Sequence, residues 1–154
     1  LTAALKNLVA GKPNAADRNE LDELARCDYT GKRILLVEDN ELNREIAKEI
    51  IGMTGVSIEC AENGREAVEK FTAAPVGYYD LIFMDIQMPL MNGYETTAAI
   101  RAQTLHGGQT IPIVAMTANA FAEDVVLSRN AGMNDHIAKP LDLNKLNDVL
   151  RQWL

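Results

Sequence analysis

Three carboxylates stand at the ends of two short apolar runs: Glu38 and Asp39 follow Arg33-Ile34-Leu35-Leu36-Val37, and Asp85 follows Leu81-Ile82-Phe83-Met84. Thr117 ends a third run, and a Lys139-Pro140 step ends a fourth. Such runs, Leu-rich or β-branched and almost free of charge, suit strands buried on both faces of a parallel sheet. Ligands of open α/β sheets bind beyond the carboxyl ends of the strands, so acids confined to that edge converge on one place. Adjacent strands lie about 5 Å apart, and at an effective dielectric of about 20 each pair of like charges that close costs about 3 kcal/mol. A hard divalent cation relieves that cost. An all-oxygen donor set with no His or thiol nearby favours Mg2+, which keeps several waters and takes further ligands from phosphate. Lys139 supplies a complementary point charge for a phosphate. The Thr117 hydroxyl can donate to a phosphoryl oxygen at the same edge, although a Thr there equally suits a helix N-cap.

Five strands and five helices are needed to hold these residues, and from Arg33 onward the chain alternates strand-like and helical patterns as βαβ units do. The predicted strands are Arg33 to Val37, Val56 to Ala61, Leu81 to Met84, Ile111 to Met116 and Asp135 to Ala138. The first helix is predicted from about Glu41 to Thr54, with Leu42, Ile46, Ile50 and Met53 on its core face and Gly55 as a left-handed stop. Asn63 with Glu66, and Asn92 with Glu95, have capping-box spacing for the second and third helices. Ala67, Val68 and Phe71 form the second stripe, and the third carries Ile100 and stops before Gly107-Gly108. The fourth helix spans about 120 to 130, and the fifth follows Asp142 with Leu143, Leu146, Val149, Leu150 and Trp153 at helical spacing.

The 154 residues suffice for one domain with a sizeable core. A net charge of -7 without any basic run argues against a nucleic-acid surface. No apolar stretch approaches the roughly 20 residues that span a bilayer, and no signal-peptide pattern opens the chain, so a cytoplasmic setting and no membrane contact by this segment are the expectation. Cys27 and Cys60 lack ligand-like spacing, and Cys60 reads as a small core residue. Residues 1 to 31 break the alternation: Leu1 to Val9 reads as the end of an amphipathic helix, and Asn14 to Arg26 as a polar stretch. They are assigned as a linker or the trailing helix of a preceding domain, with the main domain at 32 to 154.

Glu38-Asp39, then Met84-Asp85-Ile86-Gln87-Met88-Pro89-Leu90-Met91-Asn92-Gly93, Thr117-Ala118 and Lys139-Pro140 resemble, in order and spacing, the receiver domain of two-component response regulators. The wording is most similar to receivers fused to hybrid sensor histidine kinases, which points to a hybrid kinase as parent, with room for a membrane anchor in it. The resemblance implies a flavodoxin-like α/β fold with strand order 2-1-3-4-5. It implies that Asp85 is the phosphoacceptor, with self-phosphorylation and autodephosphorylation chemistry, and that Glu38, Asp39, Asp85 and the Gln87 backbone carbonyl hold Mg2+. Thr117 and Lys139 would grip the phosphoryl oxygens. Ala118 matches the family's small residue beside the phosphoryl group, and His136 occupies an aromatic switch position where Tyr or Phe is commoner. A partly exposed strand His is an equal reading for His136, and His106 reads as solvent-facing. The expected partners are a histidine kinase dimerisation and phosphoacceptor domain, a histidine-phosphotransfer domain, or both, docking on Asn43, Ala47, Ile51 and Pro140. Ile51 as a plain core residue is the competing reading.

Two other classes were weighed. A haloacid-dehalogenase-type phosphatase also uses an aspartyl nucleophile, Mg2+ and Lys, but places a second Asp where this chain has Gln87. A pseudo-receiver that only binds partners would lack some of the acid, Thr and Lys positions, all of which are present. No glycine-rich nucleotide loop follows any strand. Relay onward, a phosphate sink and a brake on the chain's own kinase stay open as uses of Asp85.

Overall fold

A computed structural model describes residues 15–88, 90–103, 105, 107–117, 122–139 and 142–154, with the side chains of 15–20 and 122–125 left out. The elements run α1 (Ala15–Arg26), β1 (Arg33–Val37), α2 (Glu41–Gly52), β2 (Ser57–Ala61), α3 (Gly64–Ala73), β3 (Leu81–Asp85), α4 (Gly93–Arg101), β4 (Ile113–Thr117), α5 (Ala122–Asn130), β5 (Asp135–Ala138) and α6 (Leu143–Trp153). All strand pairs are parallel, in the order β2-β1-β3-β4-β5. The chain therefore reverses direction across the sheet on either side of β1 and β3, and the crevice between those two strands opens where the acids emerge. None of the described helices is long and apolar enough to cross a membrane.

Strand residues alternate between two cores. Ile34, Leu36, Leu81, Phe83, Val114, Met116 and Ile137 pack with α2 and α6 on one face. Leu35, Val37, Ile82, Met84, Ile113 and Ala115 pack with Ala67 and Phe71 of α3 and Ile100 of α4 on the other. The helix starts follow the expected chemistry: Asn63, Asn92 and Asp142 each accept a backbone N–H three residues on, and Asn92 with Glu95 closes a reciprocal capping box. Glu66 ion-pairs with Lys70 at 3.5 Å instead of reaching back. Asn40 caps α2 in the same way without having been singled out in the sequence. The turn after α2 does use Gly55 in the left-handed region, φ +81°, though the helix itself ends at Gly52.

The five helices expected between and after the strands are all present, and the polar stretch before β1 adds a sixth among the described residues, α1. Leu24 of α1 is 0% exposed and Leu21 nearly so, and both join the core shared by α2 and α6. Two leucines at i and i+3 suffice to dock a helix whose other residues are polar or small, which is why no sustained apolar stripe marks it. Leu42 is not on the core stripe of α2: it is 56% exposed, while Ala47, Ile50 and Ile51 are buried. Leu1 to Asn14, His106, Ala118 and Pro140 lie outside the described residues.

Candidate functional site

The β1 edge is built first. Its last residue is Val37; Glu38 then donates its N–H to the Ala61 carbonyl at 3.1 Å, which continues the pairing with β2 and holds the Glu38 side chain inward at 2% exposure. Asp39 is exposed at the mouth, and Asn40 starts α2. Arg44, one helical turn on, donates Nη1 to the carbonyls of Glu38 and Asp39 at 3.0 and 3.4 Å. The arginine thus fixes the acid-bearing turn through backbone contacts, a role no motif signalled; its only trace in the sequence was a cation placed one turn after an acid pair.

Asp85 ends β3, 3% exposed. Its loop returns to α4 by a backbone bond from Gly93 N–H to Ile86 O at 2.9 Å. That return runs so close that a Cβ at Gly93 would stand 2.5 Å from the Asp85 carbonyl oxygen, so only glycine fits. The Gln87 N–H donates to Asp85 Oδ1 at 3.3 Å. Across β4, Thr117 is buried, and its carbonyl accepts the Lys139 N–H at 2.8 Å. This bond carries the β4–β5 pairing one step beyond β5 and delivers the Lys139 side chain to the acids. Lys139 Nζ lies 2.7 Å from Glu38 Oε1 and 3.1 Å from Asp85 Oδ2.

Each acid of the trio Glu38, Asp39 and Asp85 offers an oxygen, all within 4.8 Å of one another. Burial and the hydrogen bond and negative charge of Glu38 push the Asp85 carboxyl up to about 8, against the pull of Lys139. Burial works the same way on Glu38, but hydrogen bonds with Asp85 and Lys139 outweigh it and leave Glu38 below its ordinary value. Lys139 is raised: burial opposes its charge, and Glu38 and Asp85 more than restore it. One cation thus faces two buried acids with Asp39 beside them. A hard dication suits this donor set: all its atoms are oxygen and the negative charge is in excess. Glu38, Asp39 and Asp85 would hold Mg2+ here.

A cavity of about 220 Å³ opens at this point, lined by Asp39, Asn43, Asp85, Gln87, Thr117 and Lys139 among others. The structure therefore brings together every acid, Thr and Lys position singled out in the sequence. It does not bring His136 to the lining. That side chain lies on β5 opposite Ala115, partly exposed, with Nδ1 3.9 Å from Asp135 Oδ1. Among the proposed docking residues, Asn43 is exposed at the cavity, but Ala47 and Ile51 are 4% and 0% exposed and present nothing to a partner. Both belong to the core that α1, α2 and α6 share, so the plain core reading of Ile51 is the correct one. Pro140 lies outside the described residues.

The chain is 37% identical over 123 residues to hybrid signal transduction histidine kinase A of Dictyostelium discoideum, covering 79% of this chain and 6% of that protein. It therefore spans a small fraction of the length of such a kinase. The receiver domain of the Pseudomonas aeruginosa sensor histidine kinase PA1611, solved with magnesium coordinated in its active-site cleft, superposes with a TM-score of 0.71 at 37% identity, over 80% of this chain and 98% of that one. The receiver domain of Saccharomyces cerevisiae Ssk1, solved in complex with the histidine phosphotransfer protein Ypd1, gives 0.71 at 32% identity over 79% and 88%. The model of the response regulator receiver domain matches residues 34–151, from the second residue of β1 to the last helix. With that match and relatives above 30% identity, the chain belongs to the response regulator receiver domains.

Proposed function

We propose that Asp85 accepts a phosphoryl group from a phosphohistidine and that the domain relays it to, or receives it from, a histidine-phosphotransfer partner. The observation that carries this reading is the contact of Lys139 Nζ with both Glu38 and Asp85 at the mouth of a cavity that also holds Asp39 and Thr117. An Asp85 carboxylate oxygen attacks phosphorus, the P–N bond of the donor breaks, and its electron pair stays on the imidazole nitrogen. Bound Mg2+ supplies compensation for the acid cluster and for charge on the phosphoryl oxygens. Lys139 turns one of its donors to a phosphoryl oxygen and the Thr117 hydroxyl donates to another, while the Gln87 carbonyl would join Glu38, Asp39 and Asp85 in holding Mg2+. The resemblance of this chain to a receiver crystallised with a phosphotransfer protein supports the choice of partner. On this chain the docking surface consists of Asn43 and the exposed Leu42 rather than the buried half of α2. His136 serves as the switch residue of this proposal by its place on β5 beside β4.

With Mg2+ and acetyl phosphate, the chain gains one acid-stable, base-labile phosphoryl group, read by intact mass. Asp85→Asn abolishes the gain. Label retained in that variant, or mapped to Thr117 or His136, sinks the assignment.

A further inference from the structure

The molecule's least expected element is α1, and its position relates it to the site. It contacts α6 and α2. Leu21 and Leu24 share a core with Ile50 and Ile51 in the last turn of α2 and with Leu146, Val149 and Leu150 of α6. Glu23 pairs with Arg151 of α6 at 3.5 Å. The connector to β1 is held too: the Tyr29 N–H donates to the Thr54 carbonyl, just past α2, at 2.8 Å. The opposite ends of the same two helices are the site. α2 begins two residues after Asp39, and α6 begins four residues after Lys139. The Lys139–Glu38 contact at 2.7 Å joins the β1–α2 junction directly to the β5–α6 junction.

We propose that α1 is a strap across α2 and α6 whose docking loosens when Asp85 carries a phosphoryl group. The inference rests on the phosphoacceptor reading above. A phosphoryl group brings nearly two negative charges and three strong acceptor oxygens. It competes with Glu38 for Lys139, and the tie between the two junctions weakens. Helices of 12 and 11 residues are stiff rods, so a change in how their starts are joined displaces their far ends, where α1 bridges them. α1 spans both rods at that end, and its hold there depends on their spacing. By linkage, undocking α1 favours the phosphorylated state by the same free energy.

Hydrogen–deuterium exchange on the whole chain decides this, measured with Mg2+ before and after acetyl phosphate, with occupancy of Asp85 followed by intact mass. Amides of residues 21–31 are expected to exchange about fivefold faster in the phosphorylated chain, within the usual range of coupling between sites. Those of Ile34, Leu35 and Leu36 keep their rates, and Asp85→Asn shows no change. Unchanged or slower exchange at 21–31 with Asp85 occupied overturns the strap while leaving the phosphoacceptor reading intact. A uniform rise across α1 and β1 also overturns it, because that is global destabilisation. If Asp85 takes no phosphoryl group, the phosphoacceptor reading fails and the strap falls with it.

Discussion

Asp85 is buried beside Glu38, and that burial raises its carboxyl to about 8. An unfolded Asp titrates near 3.9, so the folded chain binds this proton more tightly and, without Mg2+, loses stability as pH rises from about 4 to 8. Glu38 acts oppositely, but its lowered carboxyl titrates below the usual carboxylate range and contributes outside that window. The expected result is a urea midpoint that falls between pH 5 and 8 in chelator and stays level in Asp85→Asn. Mg2+ flattens the fall, since it displaces the proton and takes over the compensation. An equally steep fall in Asp85→Asn would locate the proton elsewhere. Residues on α2 separate by exposure. Leu42→Asp leaves labelling by acetyl phosphate intact and slows transfer from a phosphohistidine protein at least about tenfold, the effect of losing about 1.4 kcal/mol of contact. Ala47→Asp instead buries a charge and lowers stability by about 3 kcal/mol. Equal loss with both donors for Leu42→Asp would mean that the site itself had shifted.

At the scale of elements, the connections carry as much of the structure as the strands do. Arg101, at the end of α4, donates Nε and Nη2 to the Gly132 carbonyl at 3.0 and 2.7 Å, Nη1 to Gly108 and Ile111 at 2.9 and 2.6 Å, and Nη2 to Asn134 Oδ1 at 2.7 Å. Asn134 in turn accepts the Ile113 N–H at 2.9 Å, so one side chain pins the loops that lead into β4 and β5. Those strands deliver Thr117 and Lys139. Arg101→Lys keeps the charge but lacks the planar fork, and several half-buried carbonyls lose their donor. A loss of about 2 kcal/mol in unfolding free energy is expected, together with slower labelling of Asp85 by acetyl phosphate. An unchanged midpoint would show that water replaces the guanidinium without cost.

For the whole molecule, α1 extends a five-helix expectation to six and enlarges one face of the core. Leu24→Ala, which removes a fully buried side chain from that face, costs about 3 kcal/mol. A cost below about 0.5 kcal/mol would mean that α1 is not part of the cooperative unit. The sequence by itself determined the strand set, most helix starts and the identity of the acids, Thr and Lys, because each is a local matter: apolar runs, caps and polar residues at strand exits announce themselves within a few positions. It also determined that these residues share an edge, since parallel strands place all their carboxyl ends on one side. The remaining features depend on contacts between residues far apart in the chain. Burial and the neighbouring Glu38 push the Asp85 carboxyl up, while hydrogen bonds with Asp85 and Lys139 outweigh burial and bring the Glu38 carboxyl down. Packing against the sheet, α1 and α6 buries Ala47 and Ile51 of α2 and leaves Leu42 exposed. The docking of α1 rests on two leucines in a polar segment, too few to signal a helix until the partner face exists.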